Sequence, residues 1–317
     1  MDKKTFLKKI GILLIFLGLL FLLNVFYNYD LKKVDLKILQ VIRLPRALLA
    51  ISVGGILSVS AAVLQGVFRN PLVETYTLGI SGGAGIGVAL AISLGLNKIF
   101  GYYALPFFGF LGALAVFWLI YQFALRKRFF EVDKVLMIGV MISFISSALL
   151  MLILSLSKTE SINNVIYWLM GSLDESDYFV IFLTLIVSFI ILIVFGLISN
   201  RLNGFLLGVE KGSSLGIDIV GLTKLTVFLA CFSCAFAVSS SGIIPFVGIV
   251  VPHILKAIYG NDFRFLVPAS FISGAAFMLF ADLVAKIIIS PNELPVGVIT
   301  GIIGGIIFIN IYRKRLK

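Results

Sequence analysis

Few residues in this chain could do chemistry, and their spacing limits what kind. Asp282 and Lys286 stand four residues apart in the apolar run FMLFADLVAK. An acid in such a run is a candidate for ion or proton handling, and the i, i+4 spacing equally lets the pair neutralise itself on one helix face. His253 is the 1 histidine in the chain. One imidazole without partners makes neither a metal site nor a proton relay, which favours a structural role. Cys231 and Cys234 form C-x-x-C inside an apolar run. A redox pair needs an accessible thiolate at a strand-to-helix exit, so these read as buried structural cysteines. Gly83-x-Gly85-x-Gly87 has no strand before it, and no G-x-x-x-x-G-K-[ST] occurs anywhere. The glycines therefore read as helix packing, not as a dinucleotide or ATP loop. With no nucleophile–base pair, carboxylate dyad or metal-ligand cluster, neither catalysis nor a resident cofactor is expected. If ATP drives the protein, ATP and its magnesium are held by another polypeptide.

The elements that carry these residues are membrane helices. Of 317 residues, 60% are hydrophobic and 13% charged, with 29 phenylalanines. That composition lies far outside the range of soluble domains, and the roughly ten-residue alternation of barrel strands is missing. Apolar runs predict ten spans, near 10–27, 47–67, 77–96, 104–125, 134–156, 178–199, 222–241, 244–259, 265–286 and 294–312, as one transmembrane domain over 1–317. Each is close to the roughly twenty residues a bilayer requires. The eighth run is short and is expected to be broken by Pro245 and Pro252. The net charge of +11 sits in short clusters between runs, which suits topology and not a nucleic-acid stripe. Most basic residues, including Lys3, Lys4, Lys8, Lys9, Arg69, Arg126, Arg201, Lys256 and Arg313, fall on one side of a ten-span trace. By the positive-inside rule that side is the cytoplasm, and both termini lie there.

Three further features need positioning. Arg69-Asn70-Pro71 must end the second span, because proline removes a donor and disfavours helix at the residue before it. On the outer side, 157–178 holds Trp168 with Asp174, Glu175 and Asp177, and reads as an interfacial helix followed by a solvated turn. On the inner side, the loop 200–222 is too polar to span and too apolar to be free. It expects a partner surface, or else lies on the lipid. In the fifth span Gly139, Ser143, Ser146 and Ser147 share a face. They either line a pathway or bond between helices.

An ordered series of motifs carries a resemblance. Arg43-Leu44-Pro45-Arg46, Gln65-Gly66, Arg69-Asn70-Pro71-Leu72 and Leu78-Gly79-Ile80-Ser81-x-Gly83-Ala84 come first. Tyr167-Trp168-x-Met170-Gly171, Leu206-x-Gly208-x-Glu210 with Leu215-Gly216, Gly242-Ile243-Ile244-x-Phe246, Val251-Pro252-His253, Ala281-Asp282 and Leu294-Pro295-Val296-Gly297 follow. From Val41 to Tyr312 the chain resembles the FecCD-type permease subunit of type II ABC importers for iron–siderophores, haem and cobalamin. The resemblance implies a homodimer in a bacterial plasma (inner) membrane, two ATP-binding subunits and an external substrate-binding protein. It places ATPase coupling at Gly208, Glu210, Leu215 and Gly216. It places binding-protein docking at Arg43, Arg46 and Lys286, where lysine stands for the usual arginine and loses the bidentate fork. For Arg43 and Arg46 the alternative reading is headgroup anchoring by snorkelling. The same architecture serves oxyanions such as molybdate, and an ion-coupled secondary transporter would need more mid-membrane polar groups than Asp282 supplies.

Overall fold

In the computed structural model, residues 3–27, 36–126, 132–175, 177–214, 216–289 and 292–315 are described. Among them there are helices and no strands. Eleven helices carry the architecture: α1 (Lys3–Phe26), α2 (Leu44–Val67), α3 (Ile80–Ser93), α4 (Ala104–Ile120), α5 (Val132–Ser155), α6 (Thr159–Leu169), α7 (Tyr178–Leu202), α8 (Ile219–Ser241), α9 (Val247–Tyr259), α10 (Phe263–Ile288) and α11 (Val296–Arg315). Seven helical stretches are long and apolar enough to cross a membrane, and α3, α9 and much of α11 are shorter apolar helices. The helix ending in α2 begins at Leu36, so it runs for 32 residues and starts well before the expected border.

Burial follows composition. The α2 sequence AISVGGILSVSAAV is small and apolar all round, and nearly all of its residues are buried. A helix with no polar face belongs in the centre, and α2 packs on α7, α8, α9 and α10. Its crossing with α10 is backbone to backbone: a Cβ on Gly274 would lie 2.3 Å from the Gly54 carbonyl oxygen. The Gly83 and Gly87 backbones press equally closely on Gly112 and Phe108 of α4, which is the packing role expected of these glycines. The long α1 and α5 lie at the periphery with mostly exposed faces, as helices facing lipid or another chain do.

One expectation changes. Pro252 does not break the eighth span, because α9 runs through it. Proline at this position leaves the Gly248 carbonyl, four residues back, without a helical donor. The Gln65 amide of α2 supplies one at 2.9 Å, so the helix continues. On α5 the shared face meets a neighbouring helix. Gly139 sits against Leu78 and Ser146 against Gly82, while the Ser143 and Ser147 hydroxyls donate to the carbonyls of Gly139 and Ser143. Gly139, Ser143 and Ser146 are turned toward α3 and its lead-in; Ser147 alone of the four is exposed.

Candidate functional site

Residues that the charge pattern assigns to the outer side do converge at one end of the bundle. Arg46, one turn into α2, donates from Nε to Asp282 at 2.7 Å and from Nη1 to Asp174 at 2.5 Å and to Glu293. Asp282 also accepts an ion pair from Lys286 at 2.7 Å. The expected local pairing on α10 is therefore present, and Arg46 joins it from across the bundle. Lys286 in turn donates to Asn24 Oδ1 at 2.7 Å, and the Asn24 side-chain amide donates to the Leu279 backbone carbonyl. This network fastens α1, α2, α10, the turn after α6 and the lead into α11. Asp282 is 0% exposed and Arg46 5%, so each needs the other: an unpaired buried charge costs several kcal/mol, about 3–5 when one partner is removed.

In this geometry neither Arg43 nor Arg46 is an open surface cation. Arg46 is enclosed by carboxylates. Arg43 is half-buried and donates to the carbonyls of Val25 and Tyr27 at 2.9 and 2.7 Å, closing the last turn of α1. Beside the cluster a cavity of about 440 Å³ is lined by Tyr102, Trp168, Asp174, Glu175 and Ser240. Asp174 and Glu293 keep side-chain exposures of 65% and 45%, so the accessible part of this end is acidic.

At the opposite end the inner loop is folded more tightly than expected. Gly204–Leu207 and Val209–Ser214 are short helices, and only 203–218 separates α7 from α8. Of the coupling residues implied by resemblance, Gly208 and Gly216 have positive φ of 102° and 79°. The Glu210 side chain and all of Leu215 lie outside the described residues. Arg69 reaches the loop from the end of α2 and donates through Nε and Nη2 to the Phe205 carbonyl at 3.2 and 2.9 Å. Asn203 bonds Asp262 and receives the Phe263 N–H, both at 2.9 Å. Asp262 caps α10 and is held well below its ordinary value, to about 2, by hydrogen bonds from the Arg264 and Asn203 side chains.

A cavity of about 470 Å³ opens here, lined by Gln65, Arg69, Leu206, His253 and Lys256 among others. Lys256 donates to Gln65 Oε1 at 2.6 Å, so the side chain of one glutamine bonds α9 twice. His253 lines the cavity wall without a second imidazole, in keeping with a structural role. Cys231 and Cys234 are unpaired with each other and buried. Among the described residues no group of three or more His, Cys, Asp or Glu side chains is arranged to hold a metal ion.

A multi-pass helical scaffold with polar networks at its two ends, and tight glycine crossings between them, is that of a membrane transport subunit. Comparison with known proteins agrees. The FecCD transport family pattern matches residues 6–314. The permease BtuC of a vitamin B12 import system in Klebsiella pneumoniae is 35% identical over 268 residues, covering 84% of this chain and 80% of that protein. The uncharacterised ABC transporter permease YvrB of Bacillus subtilis is 35% identical over 276 residues, covering 86% of this chain and 77% of YvrB. Among solved structures, an inward-facing transporter assigned to the metal-chelate ABC type superimposes with TM-score 0.88 at 30% identity, over 98% of this chain and 99% of the other. PsaBC of Streptococcus pneumoniae, at 17% identity and TM-score 0.56 over 88% of this chain and 91% of the other, shares the fold.

The chain belongs to the FecCD transport family. It is an ABC importer permease of the BtuC type, a multi-pass protein of the bacterial plasma membrane, and not an enzyme.

Proposed function

We propose that two copies of this chain form the membrane path of an ATP-driven importer for a metal chelate: an iron–siderophore, haem or a cobalamin-like corrinoid. The observation that carries the reading is the likeness to a vitamin B12 import permease at 35% identity over most of both chains. The likeness to a metal-chelate transporter supports it. The whole chain acts as one transmembrane domain. ATP and magnesium belong to two separate ATP-binding subunits, which dock on the loop holding Gly208, Glu210, Leu215 and Gly216. The exposed face of α5, with Met137, Met141, Phe144 and Met151, meets the second copy or lipid. Ser147 on that helix remains available to a pathway; Gly139, Ser143 and Ser146 support it from behind.

A binding protein delivers cargo to the end that carries Arg43, Arg46 and Lys286. Because Asp174 and Glu293 already hold Arg46, carboxylates of the incoming protein must displace them. Displacement keeps Arg46 paired, and charge complementarity to the cations orients the partner. The test is uptake of radioactive cobalamin and of radioactive iron–siderophore into proteoliposomes holding permease, ATPase and binding protein. ATP-dependent, vanadate-sensitive uptake of either cargo is the expected result. Vanadate-insensitive uptake driven by an ion gradient would replace this reading with a secondary transporter.

A further inference from the structure

We infer that Arg69 is the positioning residue through which movement of the 203–218 loop reaches the membrane-spanning helices. The inference rests on the reading of that loop as the ATPase-docking element. Arg69 is one of two non-glycine residues with positive φ among those described, at 49°. A side chain in the left-handed region is strained, and such strain persists only where surrounding structure enforces it. Here the backbone turn aims the guanidinium across the inner cavity. Two of its nitrogens grip one carbonyl, that of Phe205, at the end of the first loop helix.

The loop is shaped to admit this grip. Gly208 has φ 102°, and a Cβ there would lie 3.1 Å from Arg69 Nη2. Glycine at 208 thus serves both the backbone turn and the approach of the arginine. A second tie runs in parallel, where Asn203 bonds Asp262 and the Phe263 N–H at the start of α10. The Phe263 ring then sits on Gly66 of α2, where a Cβ would lie 2.3 Å from its Cζ. Loop, α2 end and α10 start are therefore one block.

That block continues through the membrane. At Gly54 and Gly274 the backbones of α2 and α10 pack directly on each other. At the far end Arg46 and Asp282 tie the same two helices together. A push on the loop is delivered by Arg69 to α2 and by Asn203 to α10, and the pair carries it to the outer charge cluster as a rigid strut. Asn70 stabilises the turn that starts the arm, by accepting the Leu72 N–H at 3.0 Å.

The experiment uses the permease co-expressed with its ATPase, purified, and reconstituted with binding protein. Four forms are compared: unmodified, Arg69→Ala, Arg69→Gly and Arg69→Lys. Alanine removes the grip and keeps the strained turn; glycine removes both. Both are expected to retain the ATPase on co-purification and to hydrolyse on the order of tenfold more ATP per cargo imported, a usual size for loss of site-to-site coupling. Arg69→Lys, which keeps a donor and loses the fork, is expected to fall between. It also covers the case in which the smaller residues fail to fold. Equal ATP cost per cargo in all four forms overturns the inference. So does a cost raised in Arg69→Ala and normal in Arg69→Gly, which would assign the effect to strain. Hydrogen exchange over 204–212 in the permease alone decides the grip without any partner. Faster exchange in Arg69→Ala is expected, and unchanged exchange refutes the contact. If the unmodified permease never retains an ATPase, the proposed function fails instead, and the exchange result still stands for the clamp.

Discussion

Replacing Gly274 by alanine tests whether the α2–α10 crossing holds the molecule together. The added methyl would lie 2.3 Å from the Gly54 carbonyl oxygen, 2.5 Å from Ser58 Cβ and 3.0 Å from the Gly54 carbonyl carbon. Non-bonded carbon needs about 3.5 Å, so the helices must part by roughly 1 Å. Two of these three atoms are backbone and cannot rotate away. Overpacking of this kind costs about 1–3 kcal/mol, and a 1 Å gap forfeits a quarter to a half of each dispersion contact along the crossing. Against this, alanine is favoured over glycine in a helix by about 1 kcal/mol. The expected net loss is therefore about 2 kcal/mol. Gly196 on α7 is the control, because nothing lies within 4 Å of a Cβ there; Gly196→Ala keeps the propensity gain and meets no neighbour. The assay is equilibrium unfolding in mixed detergent–SDS micelles followed by tryptophan fluorescence. Gly274→Ala as stable as the unmodified protein, or Gly196→Ala equally damaging, would refute the crossing as described.

Arg46→Ala is expected to cost about 3 kcal/mol in the same assay, the low end for breaking a buried pair because Lys286 still holds Asp282. Arg46→Lys should recover part of the loss. Asp262 sets an acid-side dependence. Its folded value is depressed from 3.8 to about 2, so its contribution is complete above 3.8 and vanishes as pH falls through about 2. The pair with Arg264 is half exposed, which limits the effect to about 1 kcal/mol. Comparing unfolding of the unmodified protein and Asp262→Asn between pH 5 and pH 2 should show the two curves converge at the acid end. For topology, a membrane-impermeant thiol reagent on intact cells is expected to label Glu175→Cys and to spare Leu207→Cys, with Cys231 and Cys234 silent because they are buried. The reverse pattern would invert the orientation.

What the sequence carries and what it lacks divides along contact range. Local chemistry accounts for some helix ends: Asn70 and Pro71 close α2, and Asp177 and Asp262 cap α7 and α10 through their own neighbouring amides, whereas the start at Leu36 fell outside the apolar run. The interfacial stretch around Trp168 forms the helix α6, packed on α3, and the i, i+4 pair of Asp282 and Lys286 forms as spaced. Periodicity told that Gly139, Ser143 and Ser146 share a face; it carries no information on what that face meets, and here the neighbour is α3. Proline chemistry alone breaks α9 at Pro252, and the break is averted by an amide 187 residues earlier on another helix, at Gln65.

The R-L-P-R segment shows the same limit most sharply. Two arginines outside the membrane, against the usual charge bias, demand partners, and sequence offers an external protein or lipid as the natural ones. Arg43 finds the carbonyls of Val25 and Tyr27, and Arg46 finds carboxylates from three distant segments, those of Asp174, Asp282 and Glu293. Each is attractive only once the bundle has formed. Asp282 is wholly buried and cannot leave Arg46 cheaply; Asp174 and Glu293 are largely exposed and can. The cluster is therefore graded, with one fixed bond inside and two exchangeable ones at the surface. Loss of the outer two bonds would leave the buried Arg46–Asp282 pair between α2 and α10 in place.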